Sequence, residues 1–177
     1  MNIVGYHGTT VYNAKEIIKS GFKIEKCKSR NDHWLGIGIY FFTDVSYAHW
    51  WANMREPGVV LSGNIKCDDN KYLDLDNVQE INKFTDKCRY YKKQYPGKYL
   101  DKNQYRCAMI ELYKNDFDYL VVSKTFVLTK KSTFYKKYVL HLKMINEMGM
   151  PLVQRQICVG SESIIYDICI EKGVKVC

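Results

Sequence analysis

Apolar positions recur along the chain in short blocks whose spacing alternates between two residues and three to four. Residues 2–8 read as a strand ending at a glycine. Thr9 or Thr10 stands where it can cap a helix over Val11–Ser20, in which Ala14, Ile17 and Ile18 keep helical spacing and after which Gly21 is a C′ glycine. Residues 22–24 read as a strand, and 26–32 as a polar loop. The apolar, aromatic run 37–42 is bounded by glycines and Asp44, as a buried strand would be. A helix over 45–55 places Tyr47, Ala48, Trp51 and Ala52 on one period, and Pro57 stops it.

Further on, 59–66 and 71–75 are strand candidates. Residues 77–95 predict a helix and 102–113 another. Short strands follow at 119–123 and 126–128. Residues 133–148 make the clearest amphipathic helix, and strands over 152–159 and 164–170 end the chain. Early helices among many short strands predict an α+β fold built on two packed, mainly antiparallel sheets.

Composition narrows the class. At 177 residues with 46% hydrophobic content, the chain fits one globular domain over 1–177. Seven cysteines, an odd number with no C-x-x-C, give no support for a disulfide framework or a zinc site. Cys158 and Cys169 read instead as small buried hydrophobes. No apolar run approaches the ~18 residues of a membrane span and no signal peptide pattern opens the chain, so a cytoplasmic location is expected. The net charge of +8 favours polyanionic partners.

Two segments carry candidate chemistry. Tyr6-His7-Gly8-Thr9-Thr10 lies where a strand hands over to a helix. A glycine beside a polar side chain lets a ligand reach bare N–H and C=O groups, which a carboxamide needs because it donates and accepts at once. Taken alone, the same residues read equally well as a turn with a helix cap. The second segment, Trp34 to Asp44, sets glycines before aromatics and so suggests a flat apolar slot. Alternation assigns Ile39 and Phe41 to the core and Tyr40 to the opposite face.

The order of these elements is more specific than either one. Tyr6-His7-Gly8-Thr9, a helix ending at Gly21-Phe22, Leu35-Gly36-Ile37-Gly38-Ile39-Tyr40-Phe41, then Tyr47-Ala48 with Trp50-Trp51, resembles the catalytic domain of poly(ADP-ribose) polymerases and their bacterial relatives. The resemblance is strong over about residues 4–52, continues through 58–75 and resumes at 152–159. It implies an ADP-ribosyltransferase fold with a cleft for NAD⁺ between its sheets, NAD⁺ as co-substrate and no metal. It also implies roles. His7 would hydrogen-bond a ribose hydroxyl of the adenosine half. Gly8, with Thr9 beside it, would grip the nicotinamide carboxamide through its main chain. Tyr40 would stack on the nicotinamide ring, Trp50 would close the other face, and Tyr47 lies near a carboxamide contact.

One element departs from the family pattern. The late strand that should carry a glutamate reads Val153-Gln154-Arg155-Gln156-Ile157-Cys158-Val159 and holds no acid. Gln156 is assigned to that position, with Gln154 as the second choice. Arg155 points to the other face, and Glu162 belongs to the turn after the strand. Together with His7 and Tyr40, Gln156 completes the expected catalytic set. Without a carboxylate to activate an ADP-ribose hydroxyl, transfer of single units is expected. Basic stretches with interleaved tyrosines (Lys87 to Arg106, and Lys124 to Lys143) suit RNA or single-stranded DNA as acceptor, although lysines also simply solvate helix faces. A protein acceptor and a non-catalytic NAD⁺ or ADP-ribose binding module are the other readings.

Overall fold

The structure, a computed structural model, describes residues 1–28, 31–54, 57–95, 101–128, 144 and 147–171. The elements in chain order are β1 (Asn2–Thr10), α1 (Val11–Ser20), β2 (Ile39–Phe42), α2 (Val45–Ala52) and β3 (Gly58–Lys66). They continue with β4 (Tyr72–Asp74), α3 (Val78–Gln94), α4 (Lys102–Phe117), β5 (Val121–Val127), β6 (Val153–Val159) and β7 (Ile165–Ile170). Each helix begins at a side-chain cap. Thr10 accepts from Asn13 N, Asp44 from Ser46 N, Asn77 from Gln79 N and Glu80 N, and Asp101 from Asn103 N and Gln104 N.

The seven strands are hydrogen-bonded in the order β4-β5-β6-β2-β1-β3-β7, with only β4 and β5 parallel. The α+β character and the mainly antiparallel pairing follow the sequence reading. The hydrogen bonds form one continuous order, so the expected layers are two halves of a single sheet. Their join is narrow, because β1 meets β2 at the pair Tyr6↔Phe42 alone. One apolar core cluster brings Ile39, Phe41, Ile157 and Val159 together with Leu61, Ile65 and Ile165, with Ala14 of α1 beside them. The outer face is covered twice. Helices α3 and α4 bury Leu73, Val122 and Cys158, while α2 buries Phe42 and Val60.

Several expectations change. Residues 22–24 form no strand. Phe22 is a buried core side chain and a 3₁₀ turn follows at Ile24–Cys27, because a single aromatic anchors the segment without any ladder. The two short strands read at 119–123 and 126–128 are one strand, β5, held along its length by β6 from Val121↔Val159 to Val127↔Val153. Cys169 is exposed on the edge strand β7, whereas Cys158 is fully buried. The helix read over 133–148 falls largely outside the described residues.

Candidate active site

The site begins where the sheet opens. From His7 to Thr10, β1 pairs only with β3, since its pairing to β2 stops at Tyr6↔Phe42. Two neighbouring strands therefore part at the residues singled out in the sequence. His7 spans the gap: its Nδ1 donates to the Tyr40 carbonyl oxygen at 2.8 Å. A carbonyl can only accept, so the proton of the neutral ring sits on Nδ1 and Nε2 is the acceptor nitrogen. Phe22 packs against the imidazole edge-on at 5.2 Å between ring centres, and Phe41 lies at 5.8 Å. The ring is thereby fixed in position.

Gly8 is buried beneath α2. A Cβ added there would overlap the Ala48 carbonyl oxygen and stand 2.9 Å from Ala52 N, so only glycine lets this helix settle onto β1. Thr9 is buried beside it, opposite Val59. Thr10, not Thr9, caps α1.

Tyr40 lies on the other face of β2 from Phe41, as alternation requires. Its hydroxyl donates to the Gly36 carbonyl at 2.8 Å and accepts from Leu35 N at 2.7 Å. Burial pushes this phenol well above the ordinary tyrosine range. It is a neutral clasp on the turn preceding β2, and the His33 ring stacks on it at 5.8 Å. The imidazole of His7 and the phenol of Tyr40 thus belong to opposite faces of the sheet and communicate through the Tyr40 main chain.

On β6, Gln156 pairs with Phe42 and Cys158 with Tyr40, which puts Gln154, Gln156 and Cys158 on the Tyr40 face. Gln156 is half-buried. Gln154 is 7% exposed, and its Oε1 has no hydrogen-bond partner among the described residues. Arg155 faces the other way, where its guanidinium reaches Asp74, Tyr72 and Ser123 at 2.8–2.9 Å. Glu162 opens the 3₁₀ turn after β6, away from the strand. Tyr47 is buried against Phe42 and donates to the Val153 carbonyl at 2.8 Å. Trp50 is half-buried and packs edge-on against Trp51 at 5.9 Å.

Residues that no short motif revealed brace this arrangement from α4. Glu111 accepts from Ile37 N at 2.8 Å and pairs with Lys114 at 2.7 Å. The buried Lys114 ammonium also donates to the Ile37 carbonyl at 2.9 Å. Gly36 has φ +84°, and a side chain there would overlap the Glu111 carboxylate. The helix read over 102–113 stops short of Lys114, and nothing local in the sequence says that Glu111 clasps a loop 74 residues away.

A family model described as the poly(ADP-ribose) polymerase catalytic domain matches residues 2–144. The chain belongs to this family. The match begins at β1 and stops before β6, so the strand bearing Gln154 and Gln156 lies outside it. Similarity also extends to an uncharacterized protein of Methanocaldococcus jannaschii, 29% identical over 83 residues, which are 42% of this chain and 37% of that protein. The chain therefore matches little more than a third of the length of that curated relative. No solved structure matches. A cavity of about 760 Å³ lined by Asn2, Asn64, Lys66, Tyr166 and Asp167 lies at the opposite end of β1 from His7. Its lining includes none of the residues that the sequence singles out. Among the described residues no three His, Cys, Asp or Glu side chains cluster as a metal site would. No described helix is long and apolar enough to cross a membrane.

Proposed function

We propose that this chain cleaves the nicotinamide–ribose bond of NAD⁺ and transfers one ADP-ribose unit to a nucleic acid. The observation that carries the reading is the His7 Nδ1–Tyr40 carbonyl bond at the point where β1 and β2 part. It joins two family motif segments at an open strand edge beside the constrained Gly8. Membership of the poly(ADP-ribose) polymerase family supports NAD⁺-dependent ADP-ribosyl transfer as the general chemistry.

In this reading the main chain at Gly8 and Thr9 holds the carboxamide, with Tyr40 and Trp50 flanking the pyridinium ring. Tyr47 supports the helix carrying Trp50. The acceptor nitrogen of His7 takes a hydrogen bond from an adenosine ribose hydroxyl. The C1′–N bond breaks with its electron pair passing to the pyridinium nitrogen, so nicotinamide leaves neutral. The cation developing at C1′ takes a lone pair from a nitrogen or oxygen of the acceptor, whose proton passes to water. Gln156, or Gln154 in its place, accepts a hydrogen bond from the nicotinamide ribose. Neither brings the full charge that stabilises an oxocarbenium-like centre best.

The missing acid on β6 also favours a second reading, a module that binds NAD⁺ or ADP-ribose without turnover. Incubation with adenine-labelled NAD⁺ and separate RNA, DNA and protein pools decides between them. Free nicotinamide with a single labelled adduct on nucleic acid is the expected result. Protection against melting by NAD⁺ without nicotinamide release would establish the module instead.

A further inference from the structure

We propose that Trp34 and Arg106 form a stacking platform for a base of a single-stranded nucleic acid, and that this is how the acceptor is presented; the inference rests on the transferase reading of the adjoining cleft. Trp34 is 49% exposed although it lies in the turn that Tyr40 clasps. Its ring packs edge-on against Phe126 at 4.8 Å between centres. Phe126 is the β5 partner of Gln154. Residues 34 and 35 therefore stretch from Tyr40, the neighbour of Cys158, to Phe126, the neighbour of Gln154. Gln156 lies between those two positions on the same face. The half-exposed indole thus packs on the strand neighbour of Gln154, the residue two positions before Gln156 on the same face.

Over the indole stands a cation that meets no anion among the described residues. The Arg106 guanidinium carbon lies 5.6 Å from the Trp34 ring centre, and Nε donates to the Trp34 carbonyl at 3.1 Å. Arg106 makes no ion pair among the described residues, and its Nη2 is buried without a hydrogen-bond partner. The residue as a whole is half-buried, so the rest of its guanidinium stays within reach of an incoming anion. A half-exposed indole with a guanidinium over its ring, and no carboxylate on that cation among the described residues, matches a base with its phosphate, which single-strand binding proteins hold by stacking together with positive charge. The net charge of +8 acts in the same direction at long range.

The test uses the full chain and fluorescein-labelled single-stranded RNA and DNA oligonucleotides of one mixed sequence, read by anisotropy over a salt series. Binding is expected for at least one of the two, and the stronger arm identifies the sugar. Trp34→Ala should weaken it roughly ten-fold or more, as loss of one stacked base does, while Trp34→Phe retains most of the affinity. Arg106→Gln should weaken binding and flatten the salt dependence by about one counterion. Melting curves accompany each variant; if Trp34→Ala does not fold, the contrast between Trp34→Phe and Arg106→Gln decides. No binding by the native chain, binding untouched by Trp34→Ala, a Phe variant as weak as the Ala variant, or an unchanged Arg106→Gln would each overturn the platform. So would labelled NAD⁺ marking protein alone. Nicotinamide release without oligonucleotide reads the cleft separately, so intact release with failed binding refutes this inference and leaves the NAD⁺ chemistry standing.

Discussion

In the proposed reading, Gly8 and Gln156 are two positions at which a single atom group decides what the site can do. At Gly8 an added methyl would collide with the backbone of α2 at Ala48 and Ala52. Main chain cannot swing aside as a side-chain end can, so Gly8→Ala should force α2 outward at a cost of about 1–3 kcal/mol. For a chain of this size that lowers the melting temperature by roughly 2–12 °C, measurable by calorimetry. An unchanged melt would mean that α2 does not rest on β1 as described. At Gln156 the substitution to test is Gln156→Glu. If Gln156 holds the nicotinamide ribose as proposed, a carboxylate there adds a charge-assisted bond of about 1–3 kcal/mol, so nicotinamide release should rise on the order of ten- to a hundred-fold. The same change at Gln154 places a charge at a 7%-exposed site and should lower stability instead. A faster Gln154→Glu enzyme together with an indifferent Gln156→Glu would exchange the two assignments.

Among the elements, the order β1–α1–β2–α2 was legible because each part announces itself within a dozen residues. Thr10 caps, Ala14 and Ile17 repeat, Gly21 closes, and Ile39 and Phe41 alternate with Tyr40. What stayed hidden depends on partners far along the chain. Val121 to Val127 looked like two fragments because Lys124 and Thr125 interrupt its apolar pattern, and only Asp76 explains them: it accepts from both side chains and from Thr125 N. Phe22 carried strand propensity but answers to the core, packing on Phe41 at 5.3 Å. The α4 brace was equally invisible, and it makes a prediction at this scale. Glu111→Ala should strand the buried Lys114 ammonium and free Ile37 N, costing about 3–5 kcal/mol. Glu111→Ala with Lys114→Met should recover part of that loss in chemical denaturation, because the uncompensated charge leaves with its partner. Additive losses in the double variant would show that the pair does not act as a unit.

At the scale of the whole molecule, the two halves of the sheet differ in how their edges are held. The β1–β3–β7 half rests on apolar contacts through Leu61, Ile65 and Ile165. The β4–β5–β6 half closes on a polar network in which Arg155 contacts Asp74 and Asp76, and Lys124 and Thr125 converge on Asp76. Burial alone would raise the Asp76 carboxyl, but the hydrogen bonds from Thr125 and Lys124 outweigh it and hold the group below its usual range. A carboxyl depressed in the folded state contributes stability above its unfolded value, about 3.9, and that contribution is lost as pH falls through the lower folded value. Acid should therefore loosen the polar half first while the apolar half keeps its protection. Hydrogen exchange stepped down from neutral pH should show β4 and β5 opening before β1 and β3. Asp76→Asn should already be less stable at pH 7 and should converge with the native chain as the medium is acidified. Two stability curves that stay parallel from pH 7 to pH 3 would show that this carboxylate does not hold the edge, and the contrast between the halves would then need another source.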